Sequence, residues 1–99
     1  MKYFLRIIIV CNCMASPLAL GEAFQAGLNA LERGHYSTAM RAWLELARDG
    51  AAEAQNNVGH MYEEGYGVSQ SYARAMAWYK QAAEQGLPEA QHNVGMLYY

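Results

Sequence analysis

Three histidines, two cysteines and nine carboxylates are the side chains of this 99-residue chain that could ligate a metal or move a proton. Two of the histidines, His60 and His92, fall on neighbouring helices in the reading below and could face each other. Together they would supply two of the three or four protein ligands that zinc takes. Cys11 and Cys13 lie far away in sequence, in an apolar N-terminal block, and complete nothing. No two histidines stand four apart, as a helical zinc-protease pair requires. Nor is there a Gly-x-Ser-x-Gly elbow, a phosphate-binding loop or a dinucleotide fingerprint. Gly65-x-Gly67 by itself is a turn. The expectation is a chain with no catalytic residues, no metal and no cofactor, and hence no enzyme. Seven Lys and Arg against nine Asp and Glu, with no basic run, also argue against a nucleic-acid partner.

What positions these residues is a repeat. Displacing the sequence by 36 places lays residues 36–63 over 72–99, and 12 of the 28 pairs are identical, among them Met40/Met76, Gly50/Gly86, Gln55/Gln91, Val58/Val94, Gly59/Gly95 and Tyr62/Tyr98. Unrelated segments of average composition would agree at about two positions. A fixed period of this length is the signature of stacked supersecondary units. Many Ala and Gly, with few β-branched residues beyond the N-terminus, make those units closely packed helices.

Residues 1–21 read differently. Lys2 and Arg6 precede the apolar block Ile7–Met14, and Ala19-Leu20-Gly21 places small residues at the −3 and −1 positions of a cleavage site. This is the layout of a secretory signal peptide with its junction at Gly21/Glu22. Arg6, Asn12 and Pro17 leave far fewer than the roughly 20 apolar residues a membrane span needs. Cleavage would remove both cysteines and two cations, leaving a periplasmic or secreted chain of net charge 5 − 9 = −4.

The remainder divides into helices. Glu22–Arg33 carries Phe24, Leu28 and Leu31 at spacings of four and three and is closed by Gly34. Tyr36–Asp49 presents Ala39, Met40, Trp43, Leu46 and Ala47 on one face before Gly50. A third helix runs from near Ala52 to near Glu64. Ser71 is placed to cap a fourth, which ends at Gln85. Gly86-Leu87-Pro88 opens a fifth, with proline at the first helical position where its missing N–H costs nothing. Val58, Met61, Tyr62, Ala75, Met76 and Tyr79 are expected in the core, and one of Trp43 and Trp78 half exposed. Gly59 and Gly95 are expected where a neighbouring helix approaches closely, and Gln55 nearer the surface.

The run Ala54-(x3)-Val58-Gly59-(x2)-Tyr62-(x2)-Gly65-x-Gly67-Val68, followed by Tyr72-(x2)-Ala75-(x2)-Trp78-Tyr79-(x2)-Ala82-Ala83-Glu84-Gln85-Gly86, resembles the Sel-one-like repeat. The resemblance implies an all-α fold, an α/α solenoid related to the tetratricopeptide repeat, with about two and a half units. Residues 22–50 form a degenerate first unit, 51–86 a complete unit, and 87–99 the first half of another. The first unit departs from the pattern, since it lacks the Gly-x-Gly-Val insertion. The family consists mostly of adaptors, so the resemblance implies a protein or peptide partner held on the concave side, which the first helix of each unit lines.

That side would carry Phe24, Leu28 and Leu31 on the first helix, Glu53, Asn56, His60 and Glu63 on the third, and Glu89, His92, Met96 and Tyr99 on the fifth. It would suit an extended or helical peptide, although the same residues would also make a plain solvated face. The alternative reading is a structural fragment, or a subunit that associates with itself through the fifth helix. Val94, Leu97 and Tyr98 would there lack the second helix that covers Val58, Met61 and Tyr62 one unit earlier.

Overall fold

The computed structural model describes residues 17–98, and every regular element among them is an α-helix: α1 Pro17–Glu32, α2 Tyr36–Arg48, α3 Ala52–Glu64, α4 Tyr72–Glu84 and α5 Pro88–Tyr98. Consecutive helices pack on one another, α1 on α2, α2 on α3, α3 on α4 and α4 on α5, which makes a linear stack of hairpins. The first helix starts five residues before the expected Glu22. Pro17 occupies a first-turn position, Leu18-Ala19-Leu20 are good helix formers, and Leu20 packs against the core. The expected Gly21/Glu22 junction therefore falls within α1, while the basic and apolar part of the expected leader lies outside the described residues.

The repeat is visible in the hydrogen bonds that end each second helix. Gly50 has φ 98°, and its N–H bonds the carbonyl of Ala47 at 3.0 Å while that of Ala51 bonds Leu46 at 3.1 Å. Thirty-six residues on, Gly86 (φ 91°) bonds Ala83 at 2.9 Å and Leu87 bonds Ala82 at 3.3 Å. A left-handed residue with this double bond is the Schellman stop, and glycine adopts it without a Cβ clash. At the start of α4, the Ser71 hydroxyl accepts from the Arg74 N–H at 3.1 Å, as a cap should.

Each hairpin is closed by an aromatic ring laid on a glycine. A Cβ at Gly59 would lie 2.6 Å from Cδ1 of Tyr79, and one at Gly27 would lie 2.3 Å from Nε1 of Trp43. Trp43 and Tyr79 are each 1% exposed and are 36 residues apart, so they fill the same slot in successive units. Each ring has a polar anchor: the Trp43 indole N–H donates to the Phe24 carbonyl at 3.2 Å, and the Tyr79 hydroxyl to Glu63 Oε1 at 2.7 Å. Val58, Met61 and Ala75 are fully buried beside them, Tyr62 and Met76 only half-buried. Trp78 is the half-exposed tryptophan. At Gly95, the third glycine of the series, nothing lies within 4 Å of an added Cβ, so the close approach expected there is absent.

Gln55 is not near the surface. It is 4% exposed, and its Nε2 donates to the Ala47 carbonyl at 3.1 Å while its Oε1 accepts from Gln85 Nε2 at 2.9 Å. Gln91 repeats the first bond, donating to Ala83 at 3.3 Å. The repeat glutamine thus gives a second donor to a carbonyl in the last turn of the preceding second helix, beside the N–H of the glycine stop. Burial without that bond would be costly.

Candidate interaction surface

The first helices of the units, α1, α3 and α5, lie side by side, and Asn93 Nδ2 on α5 donates to Asn56 Oδ1 on α3 at 2.9 Å. Their shared side holds two adjoining hollows. The first, about 280 Å³, is lined by Leu20, Gly21 and Phe24 of α1, Leu46 of α2, and Ala51 and Glu53 at the start of α3. The second, about 260 Å³, is lined by Phe24, Glu53, Asn56 and Asn57 together with Leu87 and Glu89 at the start of α5. Phe24 and Glu53 belong to both, so the hollows form one groove across the three helices. Its floor is apolar at the α1 end and becomes amide and carboxylate towards α5.

The structure therefore brings Phe24, Glu53, Asn56 and Glu89 together and distributes the remaining expected residues elsewhere. Leu28 and Leu31 are half-buried against the core cluster, because α1 needs them to hold α2. Glu63 accepts the Tyr79 hydroxyl, and its carbonyl accepts from Gln70 Nε2 at 2.8 Å, so this residue serves the α3–α4 contact. At 100° per residue Glu63 stands about 80° round α3 from Glu53, at the edge of the arc that includes Asn56 and His60. His60 is exposed, with its ring edge-on to Tyr66 at 6.0 Å, and Tyr66 stacks on Tyr36 at 4.6 Å. His92 and Met96 are exposed on α5, and the side chain of Tyr99 lies outside the described residues. Asn57, Leu46 and Leu87 line the groove without having been anticipated. Leu87 could have been found as the residue after the Gly86 stop, a place where an apolar side chain commonly folds back.

Among the described residues, no three His, Cys, Asp or Glu side chains converge on a metal position. The perturbed group is Tyr79, whose burial, with the adjacent Glu63 carboxylate, pushes its hydroxyl well above the ordinary tyrosine range. That is a packing effect, since the ring seals α3 against α4. No described helix is long and apolar enough to cross a membrane.

The fold and its groove define a short α/α solenoid of helix-hairpin repeats. The Sel1 repeat family model matches residues 52–87 and again 88–99, so these residues are Sel1-like repeats. The crystal structure of a Sel1 repeat protein from Oxalobacter formigenes is similar, with a TM-score of 0.61 and 39% sequence identity over 62% of this chain. The match covers 25% of that protein's chain. No curated protein gives a significant match. Repeats of this family generally mediate protein–protein interaction.

Proposed function

We propose that the chain is an exported interaction module, periplasmic or secreted, which holds a segment of a protein partner in the groove shared by α1, α3 and α5 and does no catalysis. The observation that carries this reading is the continuity of the two hollows through Phe24 and Glu53. A groove that crosses three helices is long enough to read several residues of a peptide. The leader layout at Lys2, Arg6 and Ala19-Leu20-Gly21 supports export. Its removal would take Leu20 and Gly21 away and widen the first hollow onto Phe24 and Leu46, while the second hollow has no residue upstream of the junction. A photocrosslinking amino acid at Asn56 or Glu89 should trap one partner in cells, and the same probe at Arg41 or Gln81 on the second helices should not. Equal crosslinking from both sides would refute the groove. Intact mass on fractionated cells tests the location, which a cytoplasmic species retaining Met1 would overturn.

A second reading rests on α5. Met96 is 63% and Tyr98 66% exposed, Val94 and Leu97 are half-buried, and Gly95 has no ring laid on it. Lys80 Nζ lies 5.5 Å from the centre of the Tyr98 ring. We propose for this face a second role, to receive a helix from another copy of the chain.

A further inference from the structure

Within the helices, cations are confined to one of the two layers. The first helices α1, α3 and α5 carry Glu22, Glu32, Glu53, Glu63, Glu64 and Glu89 and contain no lysine or arginine. The second helices carry Arg41, Arg48, Arg74 and Lys80 together with Glu45 and Glu84. A carboxylate in a first turn is favoured by the helix dipole, which accounts for an acid at Glu53 and Glu89. It does not account for the lack of any cation within three helices, Arg33 standing just past the end of the first.

Glu53 and Glu89 line the groove beside its apolar floor, and among the described residues neither has a cation at ion-pair distance. They are repeat equivalents on adjacent helices, so they stand about 10 Å apart, the usual spacing of packed helix axes. An extended peptide covers that distance in about three residues. On the far side of Glu53, towards α1, the hollow over Phe24 and Leu46 is apolar and accepts one large aliphatic or aromatic side chain.

Resting on the groove reading above, we infer that the partner segment is a cationic peptide with a large apolar anchor. Two Lys or Arg residues, spaced about three apart, meet Glu89 and Glu53, and an apolar side chain on the Glu53 side enters the Phe24 hollow. Complementary charge of this kind sets partner choice and encounter rate more than the total affinity.

The test is selection of a phage-displayed library of random 12-residue peptides on the full chain, followed by fluorescence anisotropy of the enriched sequences. Enriched peptides should carry two cations at the stated spacing with an apolar residue beyond them, and should bind more weakly as salt rises. Replacing their arginines by neutral citrulline, or the protein's Glu53→Gln with Glu89→Gln, should weaken binding about tenfold, as the loss of two partly exposed ion pairs implies. Glu45→Gln with Glu84→Gln, on the second helices, should leave it unchanged. Circular dichroism melts of both double variants separate lost binding from lost folding. Peptides that bind the groove, shown by sensitivity to Asn56→Trp, but lack cations overturn the charge assignment and leave the groove standing. Enrichment of peptides insensitive to Asn56→Trp, or no enrichment at all, overturns both.

Discussion

Substituting alanine at Gly59 and at Gly95 separates two effects that a single glycine substitution confounds. In a helix interior, alanine is favoured over glycine by up to about 1 kcal/mol. That gain is common to both sites. At Gly95 nothing lies within 4 Å of the new methyl group, so the gain stands alone. At Gly59 the methyl carbon would meet Tyr79 Cδ1 at 2.6 Å, Cε1 at 2.7 Å and the Ala75 carbonyl oxygen at 3.1 Å. Carbon atoms in contact sit about 3.5–4.0 Å apart, so the ring would have to retreat by about 1 Å. It has little freedom to do so, being 1% exposed and tied by its hydroxyl to Glu63 at 2.7 Å. Overpacking of this kind costs about 1–3 kcal/mol. Gly95→Ala should therefore stabilise slightly and Gly59→Ala should destabilise, with the gap between them equal to the overpacking term. Urea unfolding followed by circular dichroism measures it. With a slope of about 1 kcal/mol per molar for a chain of this size, the two midpoints should differ by about 1–3 M. Equal midpoints would mean that Tyr79 does not seal α3 against α4 as described.

Gln55→Leu should cost about 1–2 kcal/mol, because it removes two buried side-chain hydrogen bonds, the one given to the Ala47 carbonyl, which keeps only the Gly50 N–H, and the one taken from Gln85 Nε2. Gln81→Leu on exposed α4 surface should change stability by less than about 0.5 kcal/mol, and similar urea midpoints for the two would contradict the capping role. The Tyr79 hydroxyl is held neutral in the folded state, so its contribution is complete below the unfolded tyrosine pKa of about 10 and is lost as pH rises above it, by about 1.4 kcal/mol per pH unit. Tyr79→Phe should accordingly flatten the fall in stability between pH 9 and 11, and an unchanged slope would remove Tyr79 from the account. If α5 is a contact face, the sedimentation coefficient of the full chain should rise with concentration and Leu97→Glu with Tyr98→Glu should abolish the rise. A monomeric wild-type chain across the series would end that reading.

The sequence by itself determined the number and order of the helices from 22 onward and most of their limits. Local rules carry that information: Gly50 and Gly86 stop helices because they alone tolerate the left-handed backbone there, and Ser71 caps because its hydroxyl reaches a backbone N–H three residues on. A displacement of 36 residues also lays Trp43 over Tyr79, and the two rings do occupy equivalent slots. Tertiary structure decided the fate of polar residues. Gln55 is polar and read as surface, yet it is buried because it satisfies a carbonyl of the helix before it. Its recurrence as Gln91 was the available signal. Glu63 shares a helical arc with Glu53 and Asn56, but the Tyr79 hydroxyl draws it out of the groove. The groove itself depends on how α1, α3 and α5 are set side by side, and Leu46, Asn57 and Leu87 enter it only through that placement. Spacing along one helix fixes which residues share a face. It does not fix which neighbouring helix that face meets, because the contact is made by residues from other units of the chain.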